Sequence, residues 1–99
     1  MGNKNIISTA NFIPSIYTRH NLFLIEENEN SYVVIDEWKR EGDPHFPDDK
    51  QQTCHRYTTE REAWKKFVAL IKVYSKLYPI QTIKEYFFNF TFLLFYCDL

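Results

Sequence analysis

The chain has 99 residues, enough for one domain and one core that buries about 60–68% of the surface exposed by the unfolded chain. Aromatic residues make up 18% of it and there are only two glycines, which argues for packed elements joined by ordinary turns and against disorder or a Gly-rich phosphate loop. The formal charge of −1 gives no whole-molecule attraction to nucleic acid or membrane, and two cysteines are too few for a disulfide scaffold.

The first residues, MGNKNIISTANF, hold no continuous apolar run of the kind secretion needs, so an intracellular, reduced protein, cytoplasmic or nuclear, is expected. Across residues 1–20, Ile6, Ile7, Phe12, Ile13, Ile16 and Tyr17 come in pairs, but Pro14 and the asparagines interrupt them. An irregular N-terminal arm is expected there, with a short strand or turn near Ser15 to Thr18. From residue 21 the pattern sharpens into a single domain over residues 21–99. Leu22 to Ile25 reads as a buried strand, Glu27 to Asn30 as a polar turn, and Tyr32 to Lys39 as a second, alternating strand, giving a hairpin over residues 21–40. Its second strand starts apolar and ends charged, so it runs out from the core and delivers Trp38 to the rim. Residues 41–51 hold a glycine and two prolines and form the long loop of the protein. A third strand is expected over residues 52–57.

The helix over residues 59–78 is the strongest signal. Thr59 followed by Glu62 is a capping box, in which the hydroxyl accepts from the Glu62 N–H and the glutamate reaches back to that of Thr59. Trp64, Phe67, Leu70, Ile71, Tyr74, Leu77 and Tyr78 gather on one face at about 100° per residue, and Pro79 stops the helix. The opposite face carries Arg61, Lys65, Lys72 and Lys76 within a stripe of roughly 60°. Beyond it, Tyr86 to Cys97 alternates as an aromatic strand against the helix; an interfacial anchor or an unselected tail are the other readings of this segment. Its 12 residues are too few to span a bilayer as a helix, where about 20 are needed, and no membrane partner is expected. The fold class is therefore α+β: a small antiparallel sheet of three to four strands packed on one main helix.

Charge is divided along the chain. Residues 26–49 hold nine acids against Lys39 and Arg40, a net of −7, whereas residues 50–84 hold eight bases against Glu60 and Glu62, a net of +6. Either the acidic hairpin neutralises the basic helix, or two faces of opposite sign exist and the basic one is free for a polyanion.

Catalytic and metal chemistry find little footing. His45, Cys54 and His55, near Asp43, Asp48 and Asp49, lack the ligand spacing of a structural zinc motif, and no metal or cofactor is expected. On a strand Cys54 and its neighbour His55 point to opposite sides and cannot share a proton. Asp48 and Asp49 sit in a Pro-flanked loop and read as turn residues. A non-enzyme is expected.

One pattern resembles a known family. A hairpin leading to Trp38, Arg40 and Gly42, then a strand, then Thr59, Ala63 and Phe67 on a helix, resembles the WGR domain of poly(ADP-ribose) polymerases and some bacterial proteins over about half of the chain. That family's pattern is Trp-Gly-Arg-x-Gly followed by Ser/Thr-x-x-x-Ala-x-x-x-Phe, and here Lys39 stands in place of the central glycine. The resemblance implies a DNA-binding module that recognises strand ends, with Trp38 and Arg40 in the contact positions; the like charges Arg61, Lys65, Lys72 and Lys76 on one helix face would attract the same polyanion, and weak binding is expected. The competing class is a small regulatory factor of viral or mobile-element type that binds a protein partner through its acidic loop or aromatic strand.

Overall fold

A computed structural model describes residues 5–78 of the chain. Four strands, β1 (Asn5–Ser15), β2 (Thr18–Asn28), β3 (Ser31–Arg40) and β4 (Asp49–Tyr57), precede one helix, α1 (Glu60–Leu77). Each strand pairs antiparallel with the next, giving a sheet in the order β1-β2-β3-β4 with α1 lying across one face, an α+β fold. The aromatic segment Tyr86 to Cys97, expected as a strand, lies outside the described residues.

The N-terminal arm is not irregular: Asn5–Ser15 is a full edge strand paired with β2. Two register shifts, between Ile6 and Ser8 and between Phe12 and Ser15, break the period-2 pattern that would have announced it. Ile6 thus faces away from the helix, opposite Ile25, while its neighbour Ile7 packs against the core. Pro14 is tolerated because an edge strand bonds on one side only. The turn expected near Ser15 to Thr18 is present, closed by a 2.7 Å hydrogen bond between the two hydroxyls.

The hairpin also begins earlier than residue 21, at Thr18, and β4 begins at Asp49, not at residue 52, so the loop shrinks to residues 41–48. Polarity hid both ends. The stretch Asp49 to Gln52 pairs with β3 as an exposed edge and needs no apolar side chains to do so.

Strand alternation sorts the side chains by face. Ala10, Phe12, His20, Leu22, Leu24, Tyr32, Val34, Asp36 and Trp38 lie on the face under α1. The core forms where Phe12, Leu22, Leu24 and Val34 meet Ala63, Trp64, Phe67, Val68 and Ile71. The helix starts as its cap dictates, with the Thr59 hydroxyl accepting from the Glu62 N–H at 3.3 Å. The Glu62 carboxylate bonds the Thr59 hydroxyl at 2.8 Å, where the capping box places it on the backbone N–H. The buried stripe is centred between Phe67 and Ile71. Leu77, about 100° from that centre, is consequently 60% exposed, whereas Val68, on the stripe's other flank, is buried.

Candidate nucleic-acid interface

The sheet ends where β3 leaves the helix, and this end gathers Trp38 and Arg40. Both are half-buried. The Arg40 guanidinium carbon lies 5.3 Å from the Trp38 ring centroid and 5.3 Å from that of Phe46, within cation–π range of both. Its Nε donates to the Pro47 carbonyl at 2.9 Å. The head of a long, flexible side chain is thus fixed by two rings and a carbonyl, and neither of its Nη groups has a hydrogen bond among the described residues.

The loop carrying Phe46 is shaped by its own acids. Asp48 accepts from the Gly42 N–H at 2.9 Å and Asp43 from the His45 N–H at 2.8 Å. Gly42 has a φ of 74°, the left-handed region in which a side chain is strained. Pro44 and Pro47 stiffen the same turn. Carboxylates that read as an acidic loop in the sequence are, in the fold, acceptors for loop backbone.

Acids and bases pair mostly within the sheet. Glu27 meets Arg56 at 3.1 Å, Glu37 meets Lys50 at 3.4 Å, and Glu41 meets Lys39 at 3.1 Å. The helix stripe takes no part. Arg61, Lys65, Lys72 and Lys76 are exposed and have no ion pair among the described residues. Of the two arrangements the charge division allowed, the fold has the second, a cationic face separate from the acidic hairpin. It spans about 22 Å from Arg61 to Lys76 at 1.5 Å per residue. The six expected contact residues therefore form a point and a track: Trp38 and Arg40 touch, and the stripe runs away along the helix, on the side turned from the sheet.

A second polar cluster escaped the sequence reading. His20 Nε2 donates to Asp36 Oδ1, the Tyr74 hydroxyl donates to Asp36 Oδ2, and the Tyr78 hydroxyl lies 3.4 Å from His20 Nδ1. His20 is buried and sits directly across the ladder from Trp38. The last turn of α1, which carries Lys76, is thereby tied to the strands that hold Trp38. Its sequence signal was present only as alternation: His20 continues Leu24 and Leu22 by twos, and Asp36 stands between Val34 and Trp38.

Other sequence candidates stay apart. Cys54 pairs with Ile35 and His55 with Val34, so the two side chains fall on opposite faces of the sheet. A shallow depression of about 220 Å³ beside Arg19 and Lys39 has both cations engaged, Arg19 by the carbonyls of Ser15 and Thr18 and Lys39 by Glu41. Among the described residues no group of three potential ligands is arranged to hold a metal ion, and no helix is long and apolar enough to cross a membrane. The chain matches no protein-family model, no curated protein and no solved structure.

Proposed function

We propose that this protein is a non-catalytic nucleic-acid-binding module of WGR-like organisation. The observation that carries the proposal is Arg40, held by Trp38, Phe46 and the Pro47 carbonyl with neither Nη group hydrogen-bonded among the described residues. A guanidinium fixed in this way is suited to a bidentate grip on phosphate, with little entropy left to lose on binding. The stripe on α1, which has no ion pair among the described residues, supplies point charges along the same polyanion. The order of elements supports the reading as well. The hairpin of β2 and β3 leads to Trp38, Arg40 and Gly42, β4 follows, and α1 opens on Thr59 with Ala63 and Phe67 buried. Gly42, matching the pattern's last glycine, has the positive φ that calls for one. Lys39, in place of the central glycine, keeps an ordinary strand conformation.

Binding of labelled duplex, nicked and single-stranded DNA across a salt series tests this. Micromolar or weaker affinity at physiological salt is expected, because the hairpin's acids oppose the polyanion. Removing one of Lys65, Lys72 or Lys76 lowers the slope of log K against log salt by about one. Failure of all three ligands to bind at low ionic strength, where screening is least, rejects the nucleic-acid reading.

The interaction-protein reading has one observation in its favour. On the face of the sheet turned from α1, the half-buried Phe23, Ile25 and Ile35 form an apolar patch around the buried Val33 that no described element covers. A protein partner bound there gives a complex whose affinity changes little with salt.

A further inference from the structure

Phe46 belongs to no part of the pattern that singled out Trp38 and Arg40, and as a loop phenylalanine it gave no signal in the sequence. The fold gives it a defined position. The Arg40 guanidinium carbon lies 5.3 Å from its ring centroid, and the residue is 59% exposed, so a large part of the ring meets solvent. A large apolar side chain this exposed costs hydration free energy, yet the loop is built to keep it there. The Gly42–Asp48 and His45–Asp43 hydrogen bonds, the Arg40–Pro47 bond and the flanking Pro44 and Pro47 all fix the segment that presents it. An exposed aromatic ring held beside a cation offers a surface for another π-system. A base inside a duplex has both faces occupied by its neighbours; an unpaired base, or one at a duplex end, has a face to give.

We propose that Phe46 is the stacking platform for an unpaired nucleobase, and that Arg40 beneath it holds the phosphate next to that base. The assignment rests on the nucleic-acid reading and narrows it to single-stranded or end-frayed ligands. Phe46 supplies stacking and Arg40 supplies charge, so the two contributions separate by their salt dependence.

The test is a titration of labelled oligo(dT) of about ten nucleotides and of a blunt duplex of similar length, over a low-salt series, with the wild-type chain, Phe46→Ala and Phe46→Trp. Phe46→Ala is expected to weaken the single strand roughly 5- to 150-fold, the loss of one base–aromatic stack, with the salt slope unchanged. Phe46→Trp is expected to restore binding, and duplex affinity is expected to be the same for all three. Circular dichroism matching the wild type confirms that the exposed loop position has not altered the fold. Three results overturn the assignment. Single-strand binding of Phe46→Ala equal to wild type removes the platform. A loss accompanied by a slope lower by about one means that Phe46 only holds Arg40. Absence of wild-type binding to either ligand rejects the nucleic-acid reading itself, and the platform with it.

Discussion

Asp36 accepts on both carboxylate oxygens, from His20 on β2 and Tyr74 on α1, so one side chain on β3 joins three elements. The acceptor has consequences for the phenols around it. Burial, followed by the hydrogen bond to Asp36 and its negative charge, holds the Tyr74 phenol above its ordinary value; burial and then the Asp36 charge do the same to Tyr78. A phenol raised in the folded state ionises first in the unfolded chain. Its contribution to stability is therefore intact below the ordinary tyrosine value of about 10, and is lost as pH rises from there toward the folded-state value. Urea midpoints followed by circular dichroism from about pH 9 to 11.5 should fall steeply in the wild type and less steeply in Tyr74→Phe. That variant should already be less stable at neutral pH by about 1.5–3 kcal/mol, the usual value of a hydrogen bond to a charged group. Parallel curves for the two proteins would remove Tyr74 as the titrating group.

Among the elements, α1 organises the core, and Trp64 shows how. Its ring is buried, meets Phe67 edge-on at 5.6 Å, and its indole N–H donates to Glu60 one turn earlier at 3.0 Å. Trp64→Ala should cost roughly 3–5 kcal/mol, read as a lower melting temperature; an unchanged one contradicts a core built on this helix. The helix was legible because every signal was local: Thr59 and Glu62 at one end, Pro79 at the other, aromatics at helical spacing between. β1 was not, because the register shift between Ile6 and Ser8 puts Ile6 on the face opposite Ala10 and Phe12 and spoils the alternation. The same irregularity blunts an exposed edge against pairing with other chains. Trp38 and Arg40 were legible as residue types at a spacing. Phe46 and the His20–Asp36–Tyr74 cluster were not, since partners as far apart as β2, β3 and α1 meet only once the sheet has formed.

Across the whole molecule, the near-neutral sum conceals a spatial division. Glu27, Glu37 and Glu41 pair with sheet bases and Asp43 and Asp48 accept from loop backbone, while the outer side of α1 stays cationic and the end of β3 carries a fixed guanidinium. The face opposite α1 is apolar in its middle and has no described cover. These two surfaces make different predictions about where a ligand sits. The direct measurement is backbone amide chemical-shift mapping by NMR, with the intact chain titrated at low salt with a short single-stranded oligonucleotide. Perturbations are expected at Trp38, Arg40 and Phe46, extending along α1 through Lys76, Lys72 and Lys65. Shifts confined to Phe23, Ile25 and Ile35, or no shifts at saturating oligonucleotide, would contradict the proposed interface.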